Sequence, residues 1–318
     1  MTQAARYWIA AALFAAGFGL GGWAVTAFRE VPAVIAPDTG TASSLRFLAV
    51  GRQGYEQSLT QTVANAMEAA AAEAPTHGVF YLGDNFYPSG VTSVDDPLWL
   101  SHFEERYDGP FLRGTRFFAV PGNHDHKGNV QAEVQYAAQR RGSGRWQMDG
   151  LHYARDFGSV EGRVLVRAVF LDGVRLDKTG NREFQMAFAR QAFAAPGNPI
   201  WRIVVAHVPV RSLTRKRWNL ERLLGDLLPE FSAMRVDLYV SGDDWFQQIL
   251  DRPGEPLHVS TSGGGGGGLE QVAPPPSGAA DQVAVVPGFA VLEFDKALMH
   301  IGLRDEQGRS TISDSRSR

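Results

Sequence analysis

The stretch Val79-Phe80-Tyr81-Leu82-Gly83-Asp84-Asn85-Phe86-Tyr87 decides how the rest of this chain is read. Val79 to Leu82 is an uninterrupted apolar run, which in a strand means burial on both faces, because a strand with one wet face would alternate. It then breaks into a glycine and two short polar side chains. The same pattern recurs: Leu45 to Val50 ends in Gly51-Arg52, Phe117 to Val120 runs into Gly122-Asn123-His124-Asp125, Ile203 to Ala206 into His207, and Leu238 to Val240 into Gly242-Asp243-Asp244. Val164 to Leu171 is a further apolar run, and residues 58–72, 96–107, 184–195 and 218–232 carry helical spacing. Strands alternating with helices predict an α/β sheet. Such sheets bind their ligands beyond the carboxyl ends of the strands, so five polar clusters at strand ends predict one shared site.

The composition suits one large domain: 318 residues, 44% hydrophobic and 20% charged. A net charge of −3 provides no basic field, which excludes nonspecific nucleic-acid binding. The absence of cysteine excludes disulfides, Cys-ligated zinc and thiol nucleophiles, and leaves the compartment open. Compartment is read from the first residues, where Arg6 precedes a nearly uncharged run from Tyr7 to Phe28 with Trp8 and Trp23 near its ends. That run is long enough to cross a bilayer as a helix, and a membrane anchor is favoured over a cleaved signal peptide ending at Val25-Thr26-Ala27, because signal cores are shorter. Both readings export the remainder of the chain to the periplasmic or extracellular side. Residues 29–43 read as a flexible tether, 44–305 as the folded domain and 306–318 as a polar tail that frays. Six glycines, Gly263 to Gly268, follow a strand at Leu257 to Ser260 and read as a loop of close backbone approach; 271–287 reads as surface loop, with Gly288 to Phe294 and Leu298 to Leu303 as closing strands.

Taken together, Gly83-Asp84-Asn85-Phe86-Tyr87, Gly122-Asn123-His124-Asp125-His126 and Val205-Ala206-His207 resemble the metal-binding motif series of purple, tartrate-resistant acid phosphatases, a branch of the calcineurin-like metallophosphoesterases. The resemblance spans about residues 45 to 305. It implies a four-layer α/β/β/α sandwich that holds an iron(III) and a second divalent ion and hydrolyses phosphate monoesters. By the same resemblance Asp84 bridges the metals, Tyr87 ligates the iron, and Asn123 and His207 ligate the second ion. His124 then binds phosphate and protonates the leaving oxygen, with Asp125 orienting it and raising its pKa, while His126 has no assigned role. An oxygen and nitrogen donor set suits zinc, manganese or iron(II).

Three ligand positions depart from the family pattern. Arg52 stands where the first motif has an aspartate, and Gly242-Asp243-Asp244-Trp245 stands where the family has Gly-His-x-His. The family's substrate-side histidine falls on Lys216, within Arg215-Lys216-Arg217. The iron site would keep only Asp84 and Tyr87; the second site could keep Asp84, Asn123, His207 and Asp243. Asp243 reads either as an oxygen ligand or as an ordinary turn residue after a strand, Asp244 as a turn residue, and Asp172 as a support. With Arg52, Asp84 and Asp243 summing to a formal charge of −1, the pocket calls for one cation at most. Arg52 is expected to bridge Asp84 and Asp243 as a planar fork, and Arg52 and Lys216 to meet a phosphate by charge. His77, His102, His152, His258 and His300 are read as structural. Two functions remain: an impaired phosphate monoesterase using one divalent zinc, manganese or iron without the full iron(III) pair, or an inactive phosphate-binding module tethered at a membrane.

Overall fold

The chain enters the fold through β1 (Ile35–Asp38), then lays down β2 (Leu45–Val50), α1 (Gln57–Glu73), β3 (Gly78–Tyr81), β4 (Phe117–Ala119), α2 (Val130–Ala138) and β5 (Trp146–Gln147). It continues through β6 (Tyr153–Val160), β7 (Arg163–Leu171), α3 (Thr179–Ala194), β8 (Trp201–Ala206), α4 (Leu228–Ala233), β9 (Leu238–Ser241), β10 (Gln247–Leu250), β11 (Leu257–Ser260) and β12 (Gln282–Ala284). The last strands are β13 (Gly288–Phe294), β14 (Leu298–Asp305) and β15 (Ser310–Ser317). This is a computed structural model, and it describes residues 35–38, 40–55, 57–176, 179–213, 225–264 and 280–318. The predicted anchor at 1–28, Lys216 and the glycines beyond Gly264 lie outside the described residues. Among the described residues no helix is long and apolar enough to cross a membrane.

Two mixed sheets form, a seven-stranded one ordered β15-β14-β13-β2-β3-β4-β5 and an eight-stranded one ordered β1-β6-β7-β8-β9-β11-β10-β12. Strands β2 to β5 run parallel in the first, and β7, β8, β9 and β11 in the second, so their carboxyl ends share an edge within each sheet. The apolar runs are continuous because both faces are covered. In β8, Ile203 and Val205 join the core between the sheets, while Val204 and Ala206 join a second core with Met186, Ala189 and Phe193 of α3. α1 packs against β13 on the far side of the other sheet, which completes the four layers. Aromatic rings fill the space between sheets: Phe47 stacks on Phe80 at 4.6 Å, and Phe157 of β6 meets Phe47 and Phe118, each at 5.0 Å. Each such ring contributes roughly 1.5–3 kcal/mol by leaving water.

Several expectations need correction. The tail from 306 does not fray, since Ser310–Ser317 pairs antiparallel with β14. Its polar sequence suits an edge strand, with Ile312 packed on the core and the Thr311 hydroxyl donating to Gln247 Oε1 at 2.7 Å. Part of the tether is a strand too, because Ile35–Asp38 runs parallel to β6 and Ile35 covers the second core. Gln282–Ala284, read as surface loop, pairs with β10. The helix expected over 96–107 shrinks to a π-helical turn at Leu100–Glu104, as Asp96 accepts from the Thr92 and Leu98 N–H groups and fixes a bend before it. Of the helix expected over 218–232, the described part is α4.

Candidate metal and phosphate site

The loops after β2, β3 and β4 supply Arg52, Asp84, Tyr87, Asn123 and His124, and the loops after β8 and β9 supply His207, Asp243 and Trp245. Each sheet thus carries part of one site at the seam. The loops meet closely. Gly83 has φ 84°, and a Cβ there would lie 2.5 Å from the His207 ring, so only glycine lets the β3 loop pass beneath the imidazole.

His207 is completely buried, and its Nδ1–H donates to the Leu82 carbonyl at 2.7 Å, which turns Nε2 toward the seam. Three oxygens surround that nitrogen: Asp84 Oδ1 and Asp243 Oδ1 at 3.4 Å, and Asn123 Oδ1 at 3.3 Å. Ligand atoms of Asp84, His207 and Asp243 lie within 4.8 Å of one another. With Nδ1 as the donor, neutral Nε2 adds a further acceptor beside Asp84 Oδ1, which already takes the His124 N–H at 3.0 Å, and a cluster this rich in acceptors favours a proton or a cation. Burial lowers the His207 pKa, but Asp84 and Asp243 outweigh it and bring the value to about 9. A divalent cation would replace that proton, and the donors present fit one.

They do not fit a second on the far side of Asp84. There Tyr87 donates its hydroxyl to Asp84 Oδ2 at 2.5 Å. Burial, and then the Asp84 carboxylate, push the phenol well above its ordinary range, so it stays a phenol. Arg52 does not bridge Asp84 and Asp243 as expected; among the described residues it makes no ion pair with either, and their Oδ1 atoms face His207. Its guanidinium lies instead over the rings of Trp245 and Tyr55, at 5.2 and 5.8 Å. The fork was expected from charge alone, whereas two aromatic faces, Tyr55 from the same loop and Trp245 from the loop after β9, compete for the same flat cation. Backbone geometry fixes the choice: Arg52 has φ 56°, its N–H donates to Gly83 O at 2.9 Å, and a Cβ on Gly264 would sit 2.0 Å from its carbonyl oxygen.

His124 stacks on Tyr87 at 3.9 Å, donates Nδ1–H to Pro88 O at 2.7 Å, and meets Lys127 Nζ at Nε2 at 3.2 Å. Asp125 does not orient that ring. Its carboxylate accepts backbone N–H groups of Gly122 at 2.7 Å, Asn85 at 3.0 Å and Phe86 at 3.1 Å, welding the β3 and β4 loops together. An acid following an Asn-His turn is read from sequence as the partner of the histidine, but backbone donors closer to hand claim it. Burial and the neighbouring Asp84 raise Asp125 to about 7. Two residues escaped the sequence reading. Asn85 Nδ2 donates to Val120 O at 3.1 Å and to Glu133 Oε2 at 2.9 Å, and burial followed by Asp125 keeps Glu133 well above its usual value. An acid on the buried face of α2, with Val130 and Tyr136, was the available signal. His126 finds a place as well, its Nε2 donating to Asp172 Oδ1 at 2.9 Å and tying the β4 loop to the end of β7. Asp244 accepts from Ser212 Oγ at 2.7 Å and from Gln248 Nε2, as a buried turn residue would.

Two sheets face to face with acidic, amide and imidazole donors at their common edge define a metallophosphoesterase. The calcineurin-like phosphoesterase family model matches residues 39–245, and the chain belongs to that family. Tartrate-resistant acid phosphatase type 5 of Sus scrofa is 28% identical over 76% of this chain and 78% of its own length. Purple acid phosphatase 4 of Arabidopsis thaliana is 31% identical over 69% of this chain and 68% of its own. Among solved structures, GAP50, the anchor in the inner membrane complex of Plasmodium, superposes with a TM-score of 0.71 at 22% identity, over 86% of this chain and 88% of that one. The purple acid phosphatase PPD1 from yellow lupin seeds superposes with a TM-score of 0.63 at 18% identity, over 87% and 54%. These superpositions share the fold.

Proposed function

We propose that the chain is a phosphate monoesterase of the purple acid phosphatase type reduced to one divalent cation, held by Asp84, Asn123, His207 and Asp243, with slow turnover. The observation that carries this reading is the convergence of Asp84, Asn123 and Asp243 oxygens on His207 Nε2. A divalent cation supplies charge to a phosphoryl oxygen and lowers the pKa of water from 15.7 to about 7. The protein supplies position: His124, fixed through Nδ1–H, presents Nε2 to Lys127 Nζ, and a proton can pass from that pair to a leaving oxygen. Lys127 beside it keeps that face cationic.

Metal analysis of the purified protein, with assay of a simple aryl phosphate, tests the reading. We expect one zinc, manganese or iron per chain, no visible tyrosinate-to-iron(III) band, and turnover below about 1 per second, the lower edge of ordinary enzyme rates. Two metals per chain with turnover in the ordinary range would overturn it. The second reading, an inactive phosphate-binding module, is favoured by Arg52 and Trp245 occupying the other half of the site; one bound cation with no measurable turnover would select it. The apolar run Tyr7 to Phe28 supports export and tethering, and protease accessibility from outside the inner membrane tests that part.

A further inference from the structure

We propose that Arg52 is a built-in anion receptor that takes the place of a second cation, so that the site grips one terminal phosphoryl group between a divalent ion and a guanidinium. This rests on the one-cation function proposed for the His207 half.

The guanidinium is unusual for a buried charge. Arg52 is only 6% exposed, and its Nε and Nη1 atoms are buried without hydrogen-bond partners. Such donors are normally paired, because burying a charged group unpaired is strongly unfavourable. The aromatic faces of Tyr55 and Trp245 hold the cation in place, yet neither ring accepts its N–H groups in the plane of the fork. The neighbouring Tyr87 hydroxyl donates its proton to Asp84 and its oxygen meets the Arg52 guanidinium, which still leaves Nε and Nη1 unpaired. Arginine also occupies the left-handed backbone region there, a conformation glycine adopts more readily, so the side chain is placed against local preference. A fixed cation with two buried nitrogens, Nε and Nη1, still unpaired and no carboxylate partner among the described residues describes a receptor for an oxyanion.

The chemistry of the site narrows the ligand class. A guanidinium fork engages two oxygens, and a cation at His207 would engage a third, so the ligand needs three unesterified oxygens. Monoesters have three and inorganic phosphate has four; diesters have two. Asp84 lies between the two positive positions and repels an anion until a cation neutralises it. Cation and phosphate should therefore bind cooperatively, each raising the other's affinity by the same factor.

Titration of inorganic phosphate into the full chain, with and without Mn²⁺, tests this by calorimetry. We expect phosphate binding to be at least tenfold tighter with Mn²⁺ present, and Arg52→Gly, which suits the backbone, to weaken it about thirtyfold while manganese stoichiometry stays at one. Arg52→Lys should recover only a small part, and millimolar guanidinium chloride should restore phosphate affinity to Arg52→Gly but not to the parent protein, a rescue that a purely structural role would not show. Unchanged phosphate affinity in Arg52→Gly with one manganese still bound would overturn the receptor and leave the one-cation reading intact. Arg52-dependent phosphate binding in a protein that takes up no manganese would sink the one-cation reading instead and retain the receptor.

Discussion

Around His207 the acceptors are in excess, and on the other side of Asp84 the donors are. His207 Nε2 faces three oxygens at 3.3 to 3.4 Å, whereas Arg52 holds two buried nitrogens that face no acceptor. In the function proposed above, a cation completes one half and an anion the other. Arg52 and Trp245 give one half a cation and a ring, while Asp84, Asn123 and Asp243 give the other its oxygens, so the two halves differ in sign. Asp84 serves both, through Oδ1 toward His207 and Oδ2 toward Tyr87.

Removing Asp84 should therefore break the comparison outright. Asp84→Asn is expected to abolish stoichiometric metal uptake in equilibrium dialysis and to reduce any hydrolysis on the order of 10³-fold, because the groups act as a unit. Reversing the sign of the Arg52 half is the next largest effect. Arg52→Asp combined with Asp243→His and Trp245→His should bring a second metal, a visible band and roughly 10²-fold faster aryl phosphate turnover, while Arg52→Asp alone stays slow. A single change that restored full activity would show that the two halves were never distinct.

The framework holding both halves together can be weakened separately. Asp125→Ala strands the N–H groups of Gly122, Asn85 and Phe86, and at about 1 kcal/mol or more for each it should lose about 3 kcal/mol of stability, read as the shift of a urea midpoint.

A smaller effect, set by pH, separates His207 from the buried histidines elsewhere. Burial, helped by Arg211 and Arg252, lowers His258 to about 3, so between pH 6.5 and about 3 the unfolded chain binds a proton that the folded chain refuses. Stability must fall with acidity across that window, by about 1.4 kcal/mol per pH unit for this one group. His207 is shifted the other way, to about 9, so the metal-free protein also loses stability as pH rises from 6.5 through 9. Unfolding followed across pH should show both limbs. Adding Mn²⁺ should remove only the alkaline one, since the cation replaces that proton.

Much of this was legible in the sequence for a simple reason. Strands such as β3 and β8, covered on both faces, appear as unbroken apolar runs, and the polar residue after each one sits at the site. The strands that stayed hidden are those whose pattern is diluted: β6 carries Arg155 and Asp156, and β15 is almost wholly polar, its place set by pairing with β14 and not by its own composition. Within the site, the acceptors around His207 could be read because they come directly after strands. The stacking of Arg52 between Tyr55 and Trp245 could not, since it depends on how far loops from different sheets approach. Asp125 and Glu133 were opaque for the same reason: one accepts from backbone of another loop, and the other faces Asn85 across forty-eight positions of sequence.

The seam has a mechanical consequence. Asp84 and Asn123 ride on one sheet, His207 and Asp243 on the other, and the layer between them is a slab of phenylalanine rings. A bound cation is then a rivet through both plates. Its grip depends on how firmly Phe157 keeps them in register, and trimming that ring to leucine, far from any ligand, should loosen the rivet. Conversely, metal at a hundred times its dissociation constant would resist separation of the plates by about 2.7 kcal/mol, so affinity and toughness rise or fall together in this fold.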